Sequence, residues 1–537
     1  MVRRWVLWAA VAAVPVGFLA VFFAYPVGSI IGRGIDDGSV LEVARRRSTA
    51  RVAWFTLWQA AASTAVTVLA GLPAAWAVAR VRLPGRRVLR ALMLVPFVLP
   101  TLVVGAALQA VFERLGLSGG GALRLQNTVW AIVLAHMVFN VAVVVRIVGG
   151  YWALLDPRVA EAARVLGAGR WRVAREVTLP RLAPALLSAV GIVFLFCFTS
   201  FGVILTVGGP GNPTLETEIW RYATQRTDFT TAGALALIQL VTVVSLVLAV
   251  NLLEGRTLSR AAAGRPVPPR PAGSARRRFG VAAALAPALA LVVVPLAVLV
   301  ERSLATGGGY GLGNYRTLAV RTGGLSVAPT EAIANSVLYA AAAMAVAVVV
   351  GALASVVAVH AGRRSGRALD LALMVPLGTS AVTLGFGILL ALGSPPLDLR
   401  TSWVIVPIAQ ALVGIPFVVR AMVPALRAVD PRQREAAAML GASPTRTRWE
   451  IDVPLVSRSL VVGAAFAFAI SLGEFGATSF LARPDAPTVP VAMFRLLGRP
   501  GDALRGQAMA LGTVLAVLTA LSVLVIERLR PRDALGW

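Results

Sequence analysis

The chain of 537 residues contains no lysine, and all 51 of its basic residues are arginine. A nucleotide-binding P-loop needs a lysine that reaches the phosphates. This chain cannot supply one, so any ATP hydrolysis tied to its action belongs to another polypeptide. Cysteine is nearly absent too. The single Cys197 lies in an apolar run and excludes an intrachain disulfide, so the fold does not depend on an oxidising compartment. The two histidines, His136 and His360, are too few and too far apart in sequence to suggest a metal site; each reads as a packed or interfacial residue. Charge is scarce, at 14% of residues against 58% hydrophobic, which places the chain among membrane proteins. The net charge of +27 resembles that of a nucleic-acid binder. However, the arginines lie in loops between apolar runs, where they orient a membrane protein, and no base-stacking aromatics are interleaved with them. The expected surroundings are therefore a lipid bilayer and no nucleic acid, and the chain itself is expected to carry no cofactor.

What the chain does contain is one phrase written twice. Asp156-Pro157-Arg158, Glu161-Ala162-Ala163, Leu166-Gly167-Ala168 and a closing Leu179-Pro180 recur 274 residues later. The second copy reads Asp430-Pro431-Arg432, Glu435-Ala436-Ala437, Leu440-Gly441-Ala442 and Val453-Pro454. Across the 25 positions from Asp156 to Pro180, aligned without a gap, 12 are identical, Arg172/Arg446 and Glu176/Glu450 among them. A repeat of this length implies two equivalent halves carrying the same device.

A helix needs about 20 mostly apolar residues to cross a bilayer. Runs that qualify are 5–27, 53–79, 90–112, 128–149, 183–208 and 232–253, then 279–300, 332–360, 369–393, 402–424, 458–481 and 507–526. The expected fold is an all-α integral membrane protein of about 12 transmembrane helices in two homologous six-helix halves. The first run opens Met-Val-Arg3-Arg4, but its length and the missing small-residue cleavage site make it a retained helix rather than a signal peptide. With both termini placed inside, the cytoplasmic segments hold 34 arginines and the outer ones 17, the bias a membrane protein shows. Residues 28–52 run against it, with five arginines outside, Arg45-Arg46-Arg47 among them. The expected divisions are a first helix and external loop (1–52), a first transmembrane domain (53–253), a cytoplasmic Pro/Arg-rich linker (254–278), a seventh helix and loop (279–331), a second transmembrane domain (332–526) and a cytoplasmic tail (527–537). The linker's proline density favours extended chain and reads as the join between two ancestral subunits.

Each repeat has the grammar of helix, corner, helix. Asp156 and Asp430 suit an N-cap, and Pro157 and Pro431 the first helical position. Alanine-rich sequence propagates the helix to Leu166 or Leu440, and Gly167 or Gly441 follows where a left-handed residue would end it. A second short helix is expected to run to Pro180 or Pro454, with the proline opening the turn into the next span. A helix lying on lipid is the alternative. The mid-helix carboxylates Glu161 and Glu435 would be repelled by anionic lipid, and the small Ala162, Ala163, Ala436 and Ala437 suit close approach to a protein groove.

Glu-Ala-Ala, a glycine four residues after the last alanine, and a later Leu-Pro or Val-Pro resemble the E-A-A loop of ATP-binding-cassette importer permeases of type I. Both halves carry it, between the fourth and fifth expected spans; the second copy departs only at Val453, where leucine is usual. The resemblance implies a coupling helix seated in a cleft of an ATPase subunit. Glu161, Ala162, Ala163, Gly167 and Pro180, with Glu435, Ala436, Ala437, Gly441 and Pro454, are then the coupling residues. It also implies two ATPase copies that hold the ATP and magnesium, an extracellular solute-binding protein, and residence in a prokaryotic inner membrane. Fused double permeases of this length resemble the thiamine and ferric-iron importers. Three stretches carry that likeness: Phe55-Thr56-Leu57-Trp58-Gln59-Ala60; Cys197 to Gly202 with Gly208-Gly209-Pro210 and Thr214 to Ile219; and Ser471 to Gly476. Length and the Phe-Thr-Leu-Trp-Gln phrase tilt the likeness towards the thiamine type.

Ser200-Phe201-Gly202 and Glu474-Phe475-Gly476 are also 274 apart, each about two-thirds along the fifth span of its half. These six are the candidate translocation-pathway residues. Glycine beside phenylalanine permits close helix approach, and a carboxylate at this depth is costly and needs a reason. Glu474 either bonds to a neighbour such as Asn140, Gln410 or backbone, or lines the pathway, and both can hold. The main rival is a 12-helix secondary transporter, whose short basic loop would match Arg82-Leu-Pro-Gly-Arg86-Arg87 and its echo Gly362-Arg363-Arg364. That loop lacks the usual acidic residue, and the rival leaves the duplicated hairpin unexplained. A membrane enzyme would want clustered His, Asp, Glu or Cys at the interface, and the sequence shows no such cluster.

Overall fold

The computed structural model describes residues 2–36, 39–119, 124–258, 268–269, 271, 273–321, 324–360, 379–393 and 397–529. Most of the linker, the Arg363-Arg364 corner, residues 369–378 of the expected ninth span and the tail from 530 lie outside them. In chain order the first half contains α1 (Val11–Arg33), α2 (Arg47–Arg80), α3 (Arg86–Val98), α4 (Thr101–Arg114), α5 (Val129–Leu154), α6 (Arg158–Val165), α7 (Arg170–Phe198), α8 (Leu215–Thr224) and α9 (Phe229–Leu258). The second contains α10 (Ala275–Leu304), α11 (Pro329–His360), α12 (Ala381–Ala391), α13 (Ile405–Arg427), α14 (Pro431–Met439), α15 (Trp449–Gly473), α16 (Val489–Leu497) and α17 (Asp502–Leu529). The protein is an all-α membrane protein. Among the described residues ten helices are long and apolar enough to cross a bilayer: α1, α2, α5, α7, α9, α10, α11, α13, α15 and α17.

The expected single span at 90–112 is two helices. Leu99 takes an extended ψ of 143° before Pro100, as a residue preceding proline does, and Pro100 cannot donate into the ladder. The chain restarts as α4, with the Pro100 carbonyl accepting from the Val103 and Val104 amides at 3.0 and 3.3 Å. The expected fifth spans are also shorter at their far ends, because α7 stops at Phe198 and α15 at Gly473. Residues 28–52, expected as a loop, are largely helical: Tyr25–Asp36, Ser39–Arg45, then α2. Arg46 of the unexplained cluster sits at the start of α2 and pairs with Glu42 at 2.9 Å, a spacing of four residues with the acid first.

Glycine sets the spacing of the halves' central pairs. A Cβ on Gly71 of α2 would lie 2.8 Å from the Val144 side chain of α5, and one on Gly351 of α11 would lie 2.9 Å from Val418 of α13. The first helix of each half crosses to the other half. Phe18, Leu19, Phe22 and Phe23 of α1 pack with Tyr339, Ala343 and Ala347 of α11, while Val281, Leu285 and Ala288 of α10 pack with Ala74, Ala77 and Val78 of α2. The halves are thereby interlocked rather than laid side by side.

Two buried helices, α8 and α16, occupy stretches the hydropathy reading left as external loops. Their entries are equivalent. The Leu215 amide donates to the Thr56 hydroxyl at 3.0 Å, and the Val489 amide to the Ser336 hydroxyl at 2.7 Å. Each satisfies a first-turn amide that would otherwise be orphaned inside the protein.

The four π-helical turns among the described residues, at Ala20–Ala24, Val173–Thr178, Ile204–Gly208 and Arg448–Asp452, each end two residues before a proline: Pro26, Pro180, Pro210 and Pro454. A proline ring clashes with the carbonyl four residues back, and a widened turn moves that carbonyl aside. The expectation that Pro180 and Pro454 open a turn is therefore wrong. The chain runs as unbroken helix from Arg170 through Pro180 to Phe198, and from Trp449 through Pro454 to Gly473.

Candidate functional site

Because both fifth helices end early, the two glycine-phenylalanine phrases become connecting segments that face each other. Ser200, Phe201, Gly202, Glu474, Phe475 and Gly476 all line one internal cavity of about 280 Å³. The rings of Phe201 and Phe475 stack, with centroids 5.4 Å apart and planes 18° from parallel. Behind them stand Trp220 of α8, 6.0 Å from Phe201, and Phe494 of α16, 5.4 Å from Phe475; these two meet edge to face at 5.6 Å. Trp220 and Phe494 are themselves 274 residues apart. The four rings are therefore two equivalent pairs about the axis relating the halves; Phe201 and Phe475 line the cavity, and Trp220 and Phe494 pack behind them.

Glu474 is buried and finds backbone rather than Asn140 or Gln410. Its carboxylate accepts from the Ala477 amide at 2.7 Å, the Thr478 amide at 3.0 Å and the Thr478 hydroxyl, capping the short helix Thr478–Leu481. Asn140 instead donates to the His136 carbonyl at 3.0 Å. Glu474 is hydrogen-bonded and also lines the cavity. Five phenylalanines line the same space, Phe139, Phe196 and Phe417 besides the stacked pair.

Sequence reasoning missed four residues in and around the site. His136, read as a packed residue, is buried with its Nδ1 2.9 Å from the Ser63 hydroxyl, yet it also lines the cavity. Trp220 and Phe494 fell in stretches read as loops; the 274-residue spacing, followed past the fifth spans, pairs them. Glu216 of α8, fully buried, accepts from the Ser380 hydroxyl at 2.6 Å and from Gln239. Ser380 also accepts the Val382 and Thr383 amides at 3.1 and 3.3 Å, so one carboxylate ties the first half to the start of α12 in the second. His360 is exposed at the end of α11, its Nδ1 2.9 Å from the Val356 carbonyl.

The hairpins are near copies in space. Asp156 Oδ1 accepts the Arg158 amide and Asp430 Oδ1 the Arg432 amide, both at 2.9 Å. Gly167 has φ +86° and Gly441 φ +79°. The Gly167 and Ala168 amides return to Arg164 and Ala163 carbonyls at 3.0 Å, and the Gly441 and Ala442 amides to Ala438 and Ala437 at 3.0 Å, the double bond that ends a helix with a left-handed residue. Arg172 pairs with Glu176 at 3.0 Å and Arg446 with Glu450 at 2.8 Å. The bonded Glu450 carboxylate holds the Arg446 guanidinium above its ordinary value. Glu161, Ala162, Glu435, Ala436, Pro180 and Pro454 are exposed, and Ala163 and Ala437 half-buried. The apolar tips are the telling part: Val165 and Leu166 are each 87% exposed, Met439 89% and Leu440 88%. Side chains this apolar and this bare at equivalent corners suit a protein groove. One brace is unshared. Arg434 pairs with Asp452 at 2.8 Å, where the first hairpin has Ala160 and Thr178.

Residues 67–258 and 347–532 each match the family described as binding-protein-dependent transport system inner membrane component. The chain belongs to that family. It carries the family's unit twice, as fused permease domains of an ATP-binding-cassette importer, and these permeases are not enzymes themselves. It is 30% identical over 492 residues to the thiamine transport system permease protein ThiP of Brucella abortus (strain 2308), covering 89% of this chain and 87% of that protein. It is 26% identical over 505 residues to the ThiP of Escherichia coli (strain K12), with 89% of each covered. The sulfate transport system permease protein CysT of Escherichia coli (strain K12) is 32% identical over 232 residues, 38% of this chain but 83% of CysT, so it matches one half. This membership sets aside the secondary-transporter reading and places the permease in the inner membrane.

Proposed function

We propose that this permease forms the translocation path of an ATP-driven importer for thiamine, with the solute handed over by an extracellular binding protein. The hairpins and both termini face the cytoplasm, and two copies of an ATPase subunit, holding ATP and magnesium, dock on the two hairpins. The duplicated hairpin with its bare apolar tips carries this reading. One chain offers two equivalent docking hairpins, and without lysine it cannot itself hold nucleotide through a P-loop.

Two further observations support the solute class. The relatives that span nearly the whole chain are named for thiamine transport. The cavity wall of five phenylalanines and one carboxylate suits an aromatic organic cation. Ferric iron, the other candidate, would want a set of oxygen ligands, and among the described residues Glu474 is the one carboxylate lining the cavity. Passage then consists of opening the Phe201/Phe475 stack as the halves rock about their shared axis, with Ser200 and Glu474 at the same depth on either side. The test is solute uptake into liposomes holding the permease, its ATPase and its binding protein, together with the thermal shift of that binding protein by thiamine and by ferric iron. Thiamine-dependent stabilisation and ATP-dependent thiamine uptake are expected. Stabilisation by ferric iron alone would overturn the solute assignment, and uptake without the ATPase would overturn the coupling.

A further inference from the structure

At the foot of the first half, a cavity of about 720 Å³ opens between the ends of α2 and α5, the α6 hairpin and the start of α10. Six arginines line it, Arg80, Arg164, Arg170, Arg181, Arg276 and Arg277, against two carboxylates, Asp156 and Glu161. Asp156 is engaged in capping α6, and the charge of Glu161, which alone would repel an anionic lipid, is outweighed by the six guanidinium groups. Among the described residues no carboxylate forms an ion pair with Arg164, Arg170, Arg181, Arg276 or Arg277. Trp76 and Trp152 complete the wall, a residue type that gathers where a bilayer meets water.

The repeat supplies the control. In the second copy Arg164, Arg170 and Arg181 become Ala438, Pro444 and Leu455, and Trp152 becomes Leu426. The second hairpin brings one arginine of its own to these positions, Arg434 in place of Ala160, and it is paired with Asp452. A feature absent from one of two equivalent hairpins is not required by the hairpin itself, so the converging guanidinium groups need their own reason. Like charges gathered in one cavity repel, and an anion held among them removes that cost.

We propose that this cavity binds a phosphate-bearing anion, the headgroup of an anionic phospholipid from the leaflet beside the hairpin. Guanidinium forks match phosphate oxygens. The cavity's volume lies in the range of sites for whole headgroups or drug-sized ligands, roughly 300–1,000 Å³. The tryptophans set it at headgroup depth. The placement in the cytoplasmic leaflet rests on the proposed orientation; the site itself does not.

The test uses the full chain in nanodiscs of phosphatidylcholine, with phosphatidylglycerol added in steps, read by native mass spectrometry and thermal unfolding. The variant carries Arg181→Gln, Arg276→Gln and Arg277→Gln, and a control removes equal charge elsewhere through Arg124→Gln, Arg316→Gln and Arg321→Gln. Wild type and control should retain phosphatidylglycerol and melt at higher temperature as it is added. The cavity variant should bind it roughly 100-fold more weakly, the effect of three arginines near an anionic surface. Equal retention by variant and control would overturn the site. Equal protection of the detergent-purified chain by inorganic phosphate and by phosphatidylglycerol would overturn the lipid as its occupant. ATPase stimulation, measured in parallel in phosphatidylcholine alone, reports on hairpin docking separately.

Discussion

The corners at Gly167 and Gly441 isolate a backbone effect from packing. A Cβ at either position would meet nothing within 4 Å, so a larger side chain is not obstructed. What it meets is φ, +86° at Gly167 and +79° at Gly441. An L-residue in the left-handed region costs about 1–2 kcal/mol, and a β-branched one sits at the upper end. The strain is relieved if the corner relaxes, so the docking conformation becomes a minor state and the apparent affinity falls by its population. Gly167→Val or Gly441→Val should therefore weaken ATPase binding about 5- to 30-fold. The double variant should multiply the two effects, since the sites share no partner. Asn visits the left-handed region more readily, so Gly167→Asn and Gly441→Asn should fall between wild type and valine. The assay is ATPase binding to the permease in nanodiscs, with transport-coupled hydrolysis alongside and membrane insertion as the control. Equal behaviour of asparagine and valine variants, or wild-type binding by both valine variants, would refute the φ reasoning.

Three further outcomes are expected. Glu474→Leu should abolish uptake at normal expression because it leaves the Ala477 and Thr478 amides without their acceptor, while Glu474→Gln keeps one acceptor oxygen and should retain part of it; uptake by the leucine variant equal to wild type would refute a role in path or packing. Phe201→Ala with Phe475→Ala removes a stacked pair worth about 0.5–1.5 kcal/mol beyond its buried area, and liposomes holding this variant alone should leak solute that wild type retains. The detergent-purified complex should have the mass of one permease with two ATPase subunits; one ATPase per chain, or two permease chains, would sink that stoichiometry.

The first helix and corner of each hairpin were legible because their information is local, whereas the continuation through Pro180 and Pro454 was not. A capping aspartate, an alanine run and a glycine dictate a helix and a left-handed stop whatever surrounds them. The break at Pro100 was not, because a hydropathy window counts apolar side chains and is blind to a missing amide. Glu474 stood out as an anomaly, but its partners are amides of its own chain three and four residues on, which composition cannot reveal. The same blindness hid α8 and α16. Their polar entries, Thr214-Leu215-Glu216-Thr217 and Thr488-Val489-Pro490, lower a window average while announcing a helix start.

The widened turn before Pro180 and Pro454 changes what each hairpin is mechanically. A corner that ended at the proline would be a hinge, and motion of the tip would die there. A helix that runs on from Arg170 to Phe198 is a rod of 29 residues, about 43 Å long, with the proposed docking surface at one end and the Ser200 segment at the other. Tilting such a rod by about 5° moves its far end by about 4 Å, comparable to the separation of two stacked rings. The proline thus does the opposite of what its reputation suggests: by forcing a wider coil instead of a break, it leaves a stiff lever between the hairpin and the segment that carries Phe201.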